Sequence, residues 1–385
     1  MKRFLLPIVF AVAFLHARSQ DARIQQMVDH VNADSIWSYI ETLSSMERYS
    51  ITEDTAAMHF LFSYFQQLDF DTVYYHHYKD NWIPNVVAEK TGLEYPDSVY
   101  IIGGHYDVYT SGAPGADDNA SGTAGVMETA RALSLYDYDK SIRFICFSGE
   151  ELGLVGSAYY AEQAAIFDEN ILAMINLDMI SHSATGTEDP EIWYAINSFS
   201  GWMADDLQEA IELYVENTTT ANGSGSFFAR ASDHASFWDR DFPAIFLNDC
   251  LDRDSPNFNN YIHTGNDVLG TSANNPELAR SITQSCVATL AGYAGISVFS
   301  GEESYFAGHT VMIYPNPAKH YIIIQSDTPL HHISVFDDVG SLLIEQEISS
   351  SHSYKLDISK LKHGFYLVST LSENGSNNQQ KLIVY

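Results

Sequence analysis

Residues Ser141 to Glu151 read SIRFICFSGEE, an apolar run that closes on a glycine and two adjacent acids. Strand side chains alternate between faces, so a run apolar at nearly every position describes a strand covered on both sides. Gly149 lets the chain leave that strand, which frees Glu150 and Glu151 from the alternation and sets them together on a turn. Comparable runs recur as NVVAEKT, VYIIGGH, ILAMINLDMI, EIWYAI and PAIFLND. Segments with helical spacing lie between and around them: ADSIWSYIETLSSM, TAAMHFLFSYFQQL, TAGVMETARALSLY, WMADDLQEAIELYV and ELARSITQSCVATLAGYA. This alternation predicts an α/β domain over residues 21–300, with a mostly parallel sheet sandwiched by helices.

After Ser300 the texture changes. Residues 301–308 read as a linker, and from 309 to 385 short runs such as YIIIQS, HISVFDD, LLIEQE, YKLDI, FYLVST and KLIVY follow one another between turn residues. No helical period is present there, so the expectation is a small all-β, immunoglobulin-like sandwich.

A chain of 385 residues, 45% hydrophobic and 13% aromatic, has material for two cores. Fifty acidic against 19 basic residues give a formal charge of -31, which repels phosphate backbones and anionic lipid; nucleic acid is excluded as a partner. The opening MKRFLLPIVFAVAFLHARSQ has a basic start, an apolar run and small residues near its end, the pattern of a secretory signal over residues 1–20. No later stretch is long and apolar enough for a transmembrane segment. Cys146, Cys250 and Cys286 lack CxxC spacing, which argues against a cysteine metal site and a disulfide framework. Cys146 reads as a buried free thiol, and a Cys250–Cys286 bridge is left open. The NGSGS segment lacks a strand-turn-helix context and reads as a polar loop.

Charged residues gather at the ends of the predicted strands. VYIIGGHYD delivers His105 and Asp107, APGADDNASGTAG brings Asp117 and Asp118, SIRFICFSGEE ends on the glutamate pair, ILAMINLDM brings Asp178, and the loop NNYIHTGND adds His263. Carboxyl ends of strands in open α/β sheets form the ligand crevice, so these segments are expected to converge. Singly, each has an ordinary explanation as a loop residue or a helix start. Together, carboxylates crowded in a cleft repel one another unless a cation is present, and histidines with carboxylates are donors that zinc accepts.

HYDVYTSGAPGADDNASGTAGVMETAR, FSGEELGLVGSAYY, INLDM and YIHTGND, in this order, resemble the signature segments of the co-catalytic di-zinc aminopeptidases, a family that also holds glutamate carboxypeptidases and glutaminyl cyclases. The resemblance implies a zinc exopeptidase-like fold and two zinc ions bridged by Asp117. His105 and Asp178 would complete one position, and Glu151 and His263 the other. Asp107 would hold the ring of His105, and Glu150 would act as general base on a metal-bridging hydroxide and serve the leaving amine. A cis peptide between Asp117 and Asp118 is implied as well. SDHASFW resembles a further family segment, in which His234 is either catalytic or structural; Tyr261 is either a donor to the reaction intermediate or a packed loop tyrosine.

The segments YPNPAKHYIIIQ, ISVFDDVGSLL, LDISKLKHGFYLVS and KLIVY resemble the C-terminal sorting domain of proteins exported by the type IX secretion system. That implies a secreted or cell-surface protein whose partners are peptide substrates and the type IX machinery. A sugar-binding or adhesion sandwich is the competing reading, and no clustered aromatics favour it. For the first domain the leading expectation is a secreted metallo-aminopeptidase. A glutaminyl cyclase, a carboxypeptidase, or a non-catalytic binding protein on the same scaffold are the alternatives.

Overall fold

The computed structural model describes residues 20–51, 55–297, 311–314, 316, 318–337, 340–362, 364–373 and 377–384. The expected signal segment up to residue 19, the expected linker at 301–308 and the boundary at 300 lie outside them.

Eight strands form the first sheet: β1 (Thr72–His76), β2 (Asn85–Lys90), β3 (Tyr95–His105), β4 (Lys140–Phe147), β5 (Asn170–Leu177), β6 (Glu191–Ile196), β7 (Thr219–Asn222) and β8 (Ala244–Asn248). Their spatial order is β1-β2-β4-β3-β5-β8-β6-β7. The central strip β4-β3-β5-β8 is parallel, as the apolar runs predict. The flanks make the sheet mixed, because β1 and β2 form an antiparallel pair, β2 runs antiparallel to β4, and β6 antiparallel to β8. A connection of only residues 77–84 joins β1 to β2, too short for the helical crossover that parallel pairing requires.

The pleat divides each central strand between two cores. Ile102, Phe144 and Cys146 belong to one cluster, while Ile101, Ile145 and Phe147 belong to the other. The first cluster lies under α1 (Ala22–Asp29), α2 (Ala33–Ser44), α3 (Ala56–Phe65), α4 (Gly122–Leu133), α6 (Gly201–Tyr214) and α8 (Pro276–Ala294). The second lies under α5 (Val155–Ile166) and α7 (His234–Trp238). Phe144 is fully buried, so truncation to alanine costs about 3–5 kcal/mol. Helix α8 starts where Asn275 accepts from the Leu278 amide with Pro276 in its first turn, and it ends at Gly295, whose φ of +71 a side chain would resist. Buried along most of its length, α8 packs on α1, α4 and α6. The three cysteines are free and buried, so Cys250 and Cys286 are not bridged.

The C-terminal region is all antiparallel. Strands β9 (Val311–Tyr314), β10 (Tyr321–Phe336), β11 (Leu342–Asp357), β12 (Gly364–Ser372) and β13 (Asn377–Val384) form one connected sheet. One edge of β10 is shared, with β9 on residues 323–326 and β12 on residues 330–336, across a register shift between Gln325 and Leu330. Ile313, Ile324, Val335, Val368 and Val384 meet in a separate core.

Candidate metal centre

The carboxyl ends of β3, β4, β5 and β8 open on one cleft, and the side chains that the sequence places there meet in it. Two groups of donors form. His105, Glu150 and Asp178 make one, and Asp118, Glu151 and His263 make the other; within each, one donor atom per residue lies within 4.8 Å of the rest.

Local backbone explains the arrangement. Gly149 has φ +77, and a Cβ there would come 2.8 Å from the Tyr78 hydroxyl, so the turn that sets the glutamates side by side requires glycine. The Glu150 and Glu151 amides face the Asp107 carboxylate at 3.3 and 3.4 Å, and Ser50 donates to the same carboxylate at 2.6 Å. Asp107 thereby ties the end of β3 to the turn after β4. It also faces His105, whose Nδ1 lies 3.3 Å from the Asp107 carbonyl and 3.5 Å from its carboxylate, leaving Nε2 for the cleft. Arg48, fully buried, donates to the carbonyls of Tyr106, Pro114 and Gly115 and organises the loop that leads to the acids.

The resemblance assigned the bridging role to Asp117, but in the structure it is Asp118 that lies among the donor atoms of both groups. Oδ1 of Asp118 lies 3.4 Å from His105 Nε2 and its Oδ2 lies 3.2 Å from His263 Nε2, so one carboxylate spans both groups. Asp117 points away and accepts from the Ser181 amide at 3.0 Å and from Asn259 at 2.7 Å. The Asp267 carboxylate, which accepts from both backbone amides at 2.8 and 3.1 Å, fixes the loop in this attitude. The cis peptide likewise falls one residue later than expected, at Asp118-Asn119.

Electrostatics describe a cleft in need of positive charge. Burial, reinforced by Asp178, Asp233 and Glu151, pushes Glu150 well above the usual carboxylate range although His105 opposes it. Glu151 is pushed up to about 7 by burial and by Asp118. His263, hydrogen-bonded to Asp118 and Glu151, is raised to about 10. Burial works against charging His105, yet Glu150 and Asp178 beside it carry its value well above the ordinary one. His105 Nε2, Glu151 Oε1 and Asp178 Oδ1 are buried without a hydrogen-bond partner, and all belong to the donor groups. Such orphaned atoms are costly unless a cation meets them. Imidazole with carboxylate is a donor set suited to zinc, so the residues fit that ion.

The other candidates separate from the cluster. His234 donates to or accepts from nothing in the cleft; its Nε2 meets the Ala229 carbonyl at 2.9 Å and its ring stacks on Phe246, a structural role. Tyr261 sits edge-on to His182 and does not line the cavity beside the acids. That cavity, about 400 Å³, is lined by Asp118, Glu150, Glu151 and Asp178 together with Met179, Phe228, Phe246, Leu251, Phe258 and Ile262. Sequence reading passed over two residues. Asp233 is buried with both carboxylate oxygens unpartnered, and Tyr109 stacks on His263; the first was signalled only by its place in SDHASFW, the second by nothing.

The model of the family described as "Peptidase family M28" matches residues 85–289, and that of "Secretion system C-terminal sorting domain" matches residues 312–385. A probable zinc metalloprotease of Pyrenophora tritici-repentis is 32% identical over 199 residues, covering 42% of this chain and 41% of its own. Aminopeptidase YwaD of Bacillus subtilis is 40% identical over 152 residues, covering 39% of this chain and 32% of its own. The chain thus spans about two fifths or less of the length of these curated relatives. Among solved structures, the Legionella pneumophila LapA aminopeptidase aligns with TM-score 0.61 at 22% identity, over 77% of this chain and 81% of that one. A Porphyromonas gingivalis glutaminyl cyclase aligns with TM-score 0.54 at 18% identity, over 69% and 99%. At these identities the two structures speak to fold alone.

Proposed function

The chain belongs to peptidase family M28, and from that premise we propose that it is an exported zinc aminopeptidase holding two ions and removing single residues from peptide N-termini. One observation carries the reading: two donor groups meet in a single cleft, and Asp118 of the second also reaches His105 of the first at 3.4 Å. A centre for one ion would need only one of them. His105, Asp178 and Asp118 would hold the first ion, and Glu151, His263 and Asp118 the second. When bound, the zinc pair supplies Lewis-acid chemistry, polarising the scissile carbonyl and making water acidic enough to attack at neutral pH.

The rest falls to the chain's own side chains. Glu150 lies in the first donor group, 4.0 Å from His105 Nε2, and it is left free for proton transfer once Asp118 takes the third place beside His105 and Asp178. Its carboxylate takes the proton of the attacking water and passes it to the departing amine. Asp107 holds His105 and the glutamate turn in register. Phe228, Phe246 and Phe258, which line the same cavity as the acids, would receive a bulky apolar first side chain. An aminopeptidase and a carboxypeptidase differ in which peptide terminus meets the site, and the likeness to Aminopeptidase YwaD supports the first. The glutaminyl cyclase alternative, which would use one zinc ion, leaves one donor group without a task.

Export follows from the second region. The match to a sorting domain supports delivery by the type IX system to the cell surface or medium, and no described helix is long and apolar enough to cross a membrane. The test is a panel of free and N-acetylated peptides with zinc content measured alongside. Cleavage of free Leu- and Phe-initiated peptides, sparing of acetylated ones, and two zinc ions per chain are expected. Equal cleavage of acetylated peptides, or cyclisation of N-terminal glutamine at one ion per chain, would overturn the reading. Removal of residues from 309 onward should abolish delivery in the native host and spare hydrolysis.

A further inference from the structure

The two histidines of the cleft are held by different means. His105 is oriented by Asp107 through Nδ1, the usual arrangement for a ligating imidazole. His263 has no hydrogen bond at Nδ1 among the described residues. It sits at a loop position with φ +58 and its side chain is 42% exposed, yet its Nε2 is aimed at Glu151 Oε2 (2.9 Å) and Asp118 Oδ2 (3.2 Å). What lies against it is Tyr109. The two rings are stacked with centroids 4.3 Å apart and planes 10° from parallel.

Tyr109 belongs to the loop between His105 and Asp118, and that loop is anchored. Glu47 accepts from the Gly112 amide at 3.1 Å, and its neighbour Arg48 donates to Gly115 at 2.7 Å. Tyr109, itself 50% exposed, thus presents a flat ring to His263 from an anchored loop. A ring stacked face to face cannot swing about its χ2 axis without losing the contact, so the stack does for His263 what a hydrogen bond does for His105. Resting on the two-ion reading above, we propose that Tyr109 is a positioning residue for the more exposed metal position, acting through the imidazole of His263. The contact is made by the ring and does not need the hydroxyl.

The experiment is zinc titration of the full, metal-stripped chain in competition with a fluorescent zinc chelator, on wild type, Tyr109→Ala, Tyr109→Phe and Tyr109→Leu. Wild type should take up two ions of unequal affinity. Tyr109→Ala should weaken the looser ion by about tenfold, the lower end of what loss of a ligand's support costs, and leave the tighter one unchanged. Tyr109→Phe should behave as wild type, and Tyr109→Leu, which keeps apolar bulk without a flat face, should follow the alanine variant and serves if that variant unfolds. At saturating zinc the KM for a Leu-initiated peptide should be unchanged in all. Wild-type affinity for both ions in the alanine and leucine variants would overturn the proposal. So would an altered KM at saturating zinc with zinc affinities intact, since the ring would then serve the substrate. Uptake of only one ion by wild type would instead strike the two-ion reading itself.

Discussion

His105 and His263 face the same carboxylate from opposite sides, and little else about them is alike. His105 ends a central strand, is 1% exposed and has Asp107 behind it; His263 rides a loop, is 42% exposed and has a tyrosine ring beside it. The difference separates two requirements of a paired site. On the two-ion reading, the buried strand-borne half would suit a permanently held charge, whereas the exposed loop-borne half would face an entering and leaving substrate terminus. The halves should therefore differ in affinity and exchange rate though they use the same donor types.

The largest effect is expected where the halves join. Asp118→Asn should deplete both ions and lower activity by roughly four orders of magnitude or more, because metal chemistry and proton transfer fail together. Asp117→Asn should keep both; elemental analysis showing the reverse would break the comparison at its hinge. Next comes Glu150→Gln, which should retain two ions and lose turnover by roughly two to four orders of magnitude. Zinc loss in that variant would make Glu150 a ligand rather than a base.

A third pair sets one histidine against the other. His263→Ala should weaken one ion by roughly a hundredfold or more, with activity restored by excess zinc. His105→Ala should not be rescued, and should lower metal-free stability by about 3–5 kcal/mol, since it leaves buried carboxylates without their cation. Equal rescue of the two would erase the distinction between halves. The smallest effect separates burial from metal chemistry. His234 is as buried as His105 but has no ion pair with a carboxylate among the described residues, and burial, with Arg230 nearby, lowers its pKa to about 3. The unfolded chain takes up a proton near 6.5 while the folded one does not until about 3, so stability is full above 6.5 and is lost as pH falls below it. At pH 5 this amounts to about 2 kcal/mol. His234→Gln keeps a donor for Ala229 and cannot titrate, so urea unfolding at pH 7 and pH 5 should differ less in it than in wild type.

Much of this was legible in the sequence because strand ends mark the crevice. Apolar runs located β2, β3, β4, β5, β6 and β8; His105, Glu150, Glu151 and Asp178 at the ends of three of them converged as expected, with His263 joining from a separate loop. Choosing between Asp117 and Asp118 was not legible. Neighbours in an irregular loop have no periodicity to sort them, and the choice is made by Asp267, 150 positions away from Asp117. Helix α5 escaped notice because VGSAYYAEQAAI is rich in small residues and has no clear apolar stripe. Antiparallel flanks were missed for a different reason: pairing direction depends on connection length and tertiary context, whereas apolarity reports only coverage. Tyr109 carries no ligand chemistry, so only the geometry of its ring reveals it.

Asp267 has a consequence for protein engineering. It lies on the same loop as His263, and it grips the Asp118 loop through two carboxylate contacts and through its own carbonyl, which accepts from the Ala116 amide at 3.1 Å. The two loops are thus spliced. A chimera that imports residues 258–267 from a relative to alter the rim of the cavity would also replace the clamp on the acids it leaves in place. Recombination at this site should succeed when both loops travel from one parent, and fail when they are drawn from two.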